Sequence, residues 1–168
     1  LDGQRGLGQS IGEQAVDLGI ARARDAGLAV VALRNSGHIG RIGGWGERAA
    51  EAGLVSIHFV NVGLGEIVAP FGGVDRRFGT NPICFGFPTA DDPVIWDIGT
   101  SDIIHAQVVL AKRLGQKIPE GVAYGPDGRP TTDPATALQG AFSAWGGPRG
   151  SGLAIVVQLF GMMAGSPM

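Results

Sequence analysis

The sequence predicts an α/β fold, in which short apolar strands alternate with helices. Leu28–Leu33 is an apolar segment with β-branched residues, and helix-forming sequence precedes it. Such a segment is typical of a strand buried on both faces of a sheet that helices cover. Glycine supplies 30 of the 168 residues, well above its usual share. Because the glycines lie between apolar segments without a collagen period, they indicate many tight connections.

Composition narrows the class of protein. A length of 168 residues and a hydrophobic content of 44% fit one domain with a substantial core. The net charge is −2 without any basic run, which argues against nucleic acid and anionic membranes as partners. Cys84 is the only cysteine, so an intrachain disulfide is excluded and a reducing, cytoplasmic location is expected. The three histidines have no spacing that indicates a metal site.

The first half of the chain predicts two helices and two buried strands. Ser10–Glu13 matches a capping box, in which a serine hydroxyl and a glutamate side chain satisfy free helix N–H groups. Glycines then mark the ends of both helices. The predicted order is a helix ending at Gly27, strand Leu28–Leu33, a helix from Gly43 or Gly44 to Gly53, and strand Leu54–Val60.

The second half predicts a strand hairpin followed by two helices. Asp91–Pro93 has the residues of a tight turn, and the final helix is apolar on nearly every side, so we expect it to be central. The elements are strands Ile83–Pro88 and Val94–Asp97, helix Asp102–Leu114, a long polar loop Pro119–Pro134 and helix Leu153–Ala164.

His38 lies in a polar, glycine-rich loop that follows the first predicted strand. Open α/β sheets place ligands at the carboxyl ends of their strands, and histidine changes its charge closest to neutral pH. His38 is therefore a candidate proton-transfer group. The alternative is a histidine that caps a turn. A hydrolase that uses His38 with a serine is a weaker hypothesis, because Ser36 is too close in sequence to be an obvious nucleophile and no G-x-S-x-G motif occurs.

Other polar groups follow predicted strands or precede helices. Asn61 follows the second strand, and Asp97 ends another, although Asp97 could equally cap the next helix. Arg149 lies in a glycine-rich segment before the last helix, an arrangement that suits an anionic group such as a pyrophosphate. Gly6, Gly8 and Gly12 imitate a phosphate-binding loop, but no convincing strand precedes them, so a structural role is favoured.

Six short motifs occur in order along the chain: Asn35–Gly40, Ala69–Gly73, Gly79–Pro82, Trp96–Asp97, Thr131–Pro134 and Gly146–Gly152. Taken together, they resemble the malate/L-lactate dehydrogenase family, which includes ureidoglycolate, sulfolactate and diketogulonate enzymes. The resemblance covers essentially the whole chain.

The resemblance implies a three-layer α/β sandwich with a mostly buried mixed sheet, distinct from the classical Rossmann domain with its GxGxxG motif. It also implies an oxidoreductase that transfers a hydride between NAD or NADP and a small 2-hydroxy or 2-oxo acid. Malate, lactate and ureidoglycolate represent this substrate class. The expected assembly is a homo-oligomer, namely a dimer.

The resemblance also assigns roles to residues of this chain. It implies that His38 is the proton acceptor, and that the cofactor contacts Asn61, Val62, Asp97, Ile98, Gly99 and Arg149. We further expect Thr80 and Asn81 to contact the substrate or His38.

Residues 1–168 would then form one nicotinamide-binding domain, truncated at both ends relative to the family. The family's upstream Ser-His-Gly segment and the arginine that follows it do not occur in this sequence. We expect that arginine to hold the substrate carboxylate. The alternative function is therefore a catalytically incomplete fragment that acts only as a cofactor-binding module.

Overall fold

A computed structural model describes residues 1–62 and 65–165, which fall into two compact units. The first unit comprises Leu1–Phe59, Ile83–Ile98 and Phe160–Met168, and the second comprises Val60–Pro82 and Gly99–Leu159. In chain order the elements are α1 (Gly8–Ala26), α2 (Gly43–Glu51), β1 (Ser56–Phe59), β2 (Ile83–Phe87), β3 (Val94–Ile98), α3 (His105–Leu114), β4 (Ala123–Tyr124), α4 (Pro134–Ala137), β5 (Ala141–Phe142) and α5 (Gly147–Met163).

The sheet of the first unit is antiparallel, with the strand order β1-β2-β3. Helix α2 packs closely on this sheet because glycines face each other across the contact. A Cβ atom built on Gly46 would lie 3.0 Å from the Cys84 sulfur, and one on Gly86 would lie 2.7 Å from the Gly46 carbonyl oxygen. The α/β class and both hairpin strands are confirmed.

The sheet differs from the mostly buried mixed sheet that the family resemblance implies. All pairings between the named strands are antiparallel, and parallel pairing occurs only as isolated bridges in the described part of the chain. One face of the three-stranded sheet is largely exposed. Its exposed apolar side chains are Ile57, Phe59, Phe87, Val94 and Trp96.

Helix α1 ends as predicted but begins earlier than predicted. Gly27 adopts the left-handed conformation with φ of 81° and closes the helix. The capping box at Ser10 was wrong, since the helix starts at Gly8 and its N-cap, Leu7, makes no side-chain cap bond. Tertiary contact determines this start, because a Cβ on Gly8 would collide with the carbonyl oxygens of Gly37 and His38.

The predicted strand Leu28–Leu33 was also wrong. This segment belongs to no helix or strand, and Leu28 and Val30 are 76% and 91% exposed. The residue after this segment, Arg34, lies beside the first residue of the chain, and its backbone N–H donates to the Leu1 carbonyl at 3.1 Å. An apolar segment indicates a tendency to be buried, but pairing requires a second strand, and the described residues supply none here.

The second predicted strand is shorter and more exposed than expected. Of Leu54–Val60, only Ser56–Phe59 forms β1, an edge strand in which half-buried and exposed residues alternate. The expectation of burial on both faces was therefore wrong. Its alternation is typical of a strand that covers a core on one side only.

The second unit is built around an apolar cluster beneath α3 and the β4–β5 pair. Asp133 begins α4 by accepting a hydrogen bond from the Thr136 N–H at 2.8 Å, and Pro134 occupies the first turn. Helix α3 begins at His105, three residues after the predicted start. The core residues are Val68, Ile103, Val108, Ile118, Ala123, Ala137, Phe142 and Ala144.

Helix α5 starts at Gly147, before the predicted Leu153, and its buried residues are Gly150, Ser151, Ala154 and Val157. Several of its large apolar side chains are exposed, so the expectation of a helix covered on all sides was wrong. Within the described residues, no helix is both long and apolar enough to cross a membrane.

Candidate functional site

The His38 loop is held in place by backbone contacts of the first unit. The indole N–H of Trp45 donates to the Ile39 carbonyl at 3.1 Å, and the Gly8 backbone packs against the carbonyls of Gly37 and His38 within the loop. Asn35 has a left-handed φ of 52° and donates from its amide to both carboxylate oxygens of Asp2 at 3.1 Å. These contacts fix the backbone of the loop that carries His38.

The His38 side chain is exposed and makes one hydrogen bond within the described residues. Its Nδ1 accepts from the Gly40 N–H at 3.1 Å, and Gly40 is left-handed with φ of 80°. A ring nitrogen that accepts a hydrogen bond carries no proton, so the neutral ring holds its proton on Nε2. The ring therefore both caps a turn and presents an N–H donor.

Asp97 is anchored to the start of α2. Its Oδ2 accepts from the Gly43 N–H at 2.7 Å, a favourable position for a carboxylate at a helix N-terminus. Its Oδ1 makes no hydrogen bond with any described residue. One carboxylate oxygen therefore positions Asp97, and the other remains available to a ligand.

Asp97 shares a row of the sheet with two other ionisable side chains, His58 and Cys84. Burial lowers the pKa of His58 and raises the pKa of the Cys84 thiol to about 11. The thiol is thus protonated near neutral pH, which makes Cys84 a poor nucleophile.

In the second unit, Asn81 joins several segments through one side chain. Its Nδ2 donates to the Gln158 Oε1 at 2.9 Å and to the Ala154 carbonyl at 3.3 Å, while its Oδ1 accepts from the Val62 N–H at 3.3 Å. The residue is 0% exposed. Its side chain is therefore taken up by contacts within the described part of this unit, and the predicted contact with the substrate or His38 stays a prediction.

Thr80 and Gly99 are brought together beside Asn81. The Thr80 carbonyl accepts from the Thr100 N–H at 2.9 Å, and Thr100 Oγ1 donates to the carbonyls of Thr80 and Asn81, both at 3.2 Å. Gly99 lies against the Thr80 carbonyl, at 3.6 Å from a Cβ built on the glycine. Hydrogen bonds from Thr100 therefore connect the predicted substrate residues, Thr80 and Asn81, to the turn that contains the predicted cofactor residue Gly99.

Asn61 and Val62 lie shortly after β1, beyond Val60, and are half-buried. Gly79 allows Val62 to approach closely, because a Cβ on this glycine would lie 2.8 Å from the Val62 Cβ. Residues 63 and 64, which come next in the sequence, lie outside the described residues.

Arg149 occupies the first turn of α5. Gly146 and Gly147 precede it in left-handed conformations with φ of 67° and 60°, and Gly150 packs against the Trp145 carbonyl where no Cβ would fit. The exposed guanidinium has no ion pair or hydrogen bond among the described residues. An unpaired cation beside free helix N–H groups fits a phosphate or pyrophosphate.

The sequence profile of the malate/L-lactate dehydrogenase family matches residues 1–168. The chain belongs to this family. It is 44% identical over 165 residues to hydroxycarboxylate dehydrogenase B of Escherichia coli O157:H7, covering 96% of this chain and 46% of that protein. It is 39% identical over 166 residues to L-sulfolactate dehydrogenase of Methanocaldococcus jannaschii, covering 99% and 48%.

Solved structures of family members show the same fold. The sulfolactate dehydrogenase from Methanocaldococcus jannaschii has a TM-score of 0.86 with 40% identity, covering 98% of this chain and 47% of that one. The delta1-piperideine-2-carboxylate reductase from Pseudomonas syringae has a TM-score of 0.91 with 38% identity, covering 98% and 50%. The chain spans about half the length of the curated relatives it matches.

The structure distributes the sequence-predicted residues over both units. The first unit holds His38, Asp97 and Ile98, and the second holds Asn61, Val62, Thr80, Asn81, Gly99 and Arg149. Sequence reasoning missed the connecting residues Gly43, Thr100 and Gln158. Gln158 carried a signal, since it is a polar residue inside an otherwise apolar helix.

Proposed function

We propose that this chain is the nicotinamide-binding part of an oxidoreductase that transfers a hydride between NAD or NADP and a small 2-hydroxy or 2-oxo acid. The observation that carries the proposal is Arg149, an exposed and unpaired cation, within the described residues, on the glycine-rich start of α5. Membership of the malate/L-lactate dehydrogenase family supports it. Relatives named as dehydrogenases of hydroxycarboxylate and sulfolactate support it as well.

Residues that the resemblance assigns to the cofactor occur in both units. In the second unit, Arg149 and the α5 N–H groups would bind phosphate oxygens, and Asn61, Val62 and Gly99 would contact the rest of the molecule. In the first unit, Asp97 would accept a hydrogen bond through Oδ1 while Gly43 holds Oδ2, and Ile98 would supply an apolar contact. When bound, the nicotinamide would supply or accept the hydride.

His38 would transfer the proton that accompanies the hydride. In the neutral ring the Nε2–H can donate to the carbonyl oxygen of a 2-oxo acid. Protonation of Nδ1 displaces the Gly40 N–H and gives an imidazolium, which can release its Nε2 proton to the oxygen of the reduced product. The ring is then neutral with its proton on Nδ1, which is the form that accepts a proton in the oxidation direction.

The test is to titrate the full-length protein with NADH and NADPH, and then to add 2-oxo acids such as pyruvate, oxaloacetate and sulfopyruvate. Micromolar binding followed by oxidation of the reduced cofactor is the expected result. Absence of binding to both cofactors contradicts the proposal. Binding without turnover on any 2-oxo acid would instead indicate the second candidate function, a cofactor-binding module.

The substrate panel should also include a cyclic imine acid. Two relatives, 42% and 40% identical, are named as reductases of Δ1-pyrroline-2-carboxylate. Such a substrate presents C=N instead of C=O beside a carboxylate, so the same proton donor and hydride would serve. The ratio of kcat/KM between the imine and the oxo acids distinguishes the two substrate types.

A further inference from the structure

Asn81 has features that a packing role alone does not require. It is fully buried, and it adopts a left-handed φ of 29°, a conformation that asparagine tolerates better than most residues. Its side chain uses both ends of the amide, with the oxygen on the Val62 N–H and the nitrogen on α5. The residue thus connects segments that are distant in sequence.

The segments that Asn81 connects are those proposed to contact the cofactor. Val62 belongs to one of them, and α5 carries Arg149 at its other end. The Asn81 carbonyl accepts from Thr100 Oγ1 at 3.2 Å, which attaches the turn that contains Gly99. Three proposed cofactor contacts therefore share one buried residue.

We propose that Asn81 is a positioning residue for the nicotinamide cofactor, and that its amide sets the placement of the Val62 backbone relative to α5. The inference rests on the proposed function but assigns a role that is separate from substrate contact. It predicts that the two ends of the amide have separable effects, since one end holds Val62 and the other holds α5.

The test compares two substitutions in the full-length protein. Asn81→Gly permits the left-handed backbone but removes both ends of the amide, and Asn81→Asp keeps the oxygen that accepts from Val62. For Asn81→Gly we expect the Kd for NADH or NADPH to rise by about tenfold or more, because the hydrogen bonds that hold the Val62 backbone and α5 are lost. At saturating cofactor, kcat should be largely retained. Asn81→Asp should have a Kd closer to that of the wild type, even if its Tm falls.

Arg76→Met provides the matched control. Arg76 lies in the same unit and donates to two backbone carbonyls, those of Gly140 and Leu138, without touching a proposed cofactor segment. This variant should lower the Tm and leave the Kd for the cofactor unchanged. If the Kd rises in Arg76→Met as much as in Asn81→Gly, or if Asn81→Gly binds like the wild type, the positioning role is overturned.

Two further outcomes are decisive. If Asn81→Gly does not fold, Asn81→Asp decides, because a loss of cofactor affinity as large as that of Arg149→Ala would contradict the role assigned to the Val62 contact. If the wild type binds neither NADH nor NADPH, the proposed function fails and this inference fails with it. Wild-type binding together with an unaffected Asn81→Gly removes the inference alone.

Discussion

The Gly40 N–H donates a hydrogen bond to Nδ1 of His38 at 3.1 Å, across a left-handed glycine. This bond selects the neutral tautomer with its proton on Nε2. In oxidation of a hydroxy acid, however, the ring must accept a proton at Nε2. Catalysis by His38 therefore requires the Gly40 bond to break.

The first prediction concerns the His38 tautomer. In the free protein, the neutral form of the ring should give the NMR signature of an imidazole protonated on Nε2. With reduced cofactor and an unreactive 2-oxo acid analogue bound, the population should shift toward the doubly protonated ring, which is the form that can release its Nε2 proton to the substrate oxygen. Selective ¹⁵N labelling of histidine measures this, with exposed His105 as the internal reference. An unchanged tautomer in the complex would indicate a turn-capping role.

The second prediction tests the anion site at the start of α5. Arg149→Ala removes a charge-assisted contact worth about 1.5–3 kcal/mol, so the Kd for the cofactor should rise by roughly 10- to 150-fold, since 1.4 kcal/mol is a factor of ten. The KM for the acid should change much less. Arg129→Ala, which removes an exposed arginine from a turn of the same unit, should leave both values unchanged. Equal cofactor affinity in the wild type and Arg149→Ala would exclude Arg149 from the site.

The third prediction uses two glycines of α5 that are two residues apart. At Gly150 a Cβ would collide with the Trp145 carbonyl, whereas at Gly152 it would enter open space. Gly150→Ala should therefore lower the free energy of unfolding by about 1–3 kcal/mol, as overpacking does. Gly152→Ala should raise it by about 0.5–1 kcal/mol, because alanine favours the helix. Chemical denaturation measures both, and equal effects would contradict the described start of α5.

The fourth prediction concerns the pH dependence of stability. Burial lowers the pKa of His58 below its ordinary value of 6.5, so the unfolded chain binds a proton before the folded chain does. The stabilising contribution is present above pH 6.5 and is lost as the pH falls through the folded pKa. His58→Gln should therefore reduce the loss of unfolding free energy on acidification. His105→Gln, at an exposed position, should not, and equal slopes in all three proteins would contradict the burial argument.

Local signals predicted much of the fold correctly. Helix α1 ends at Gly27 because this glycine adopts the left-handed conformation. Strands β2 and β3 form a hairpin because a short turn joins them. Residues that are close in sequence specify both features. The prediction of a strand at Leu28–Leu33 was wrong because strand pairing depends on residues that are distant in sequence. The two-residue strands β4 and β5 are too short to produce a periodic pattern.

Part of the candidate site could be predicted because short local motifs mark its residues. His38 and Arg149 stand beside glycines in short motifs, and the structure leaves both side chains exposed. The burial of Asn81 could not be predicted, because its partner Gln158 lies 77 positions away. The start of α5 also depends on distant groups, including the Phe71 N–H, which donates to Ser151 Oγ at 3.1 Å.

The central claim is that this family member moves a hydride with His38 supplying or taking the proton. The most direct measurement is the rate of NADH or NADPH oxidation by 2-oxo acids in the full-length protein and its His38→Asn variant. We expect the wild type to reduce at least one such acid. In the variant we expect turnover to fall by about 10²–10⁴-fold while cofactor binding is retained. Full turnover in His38→Asn, with an unchanged pH profile, would contradict the account.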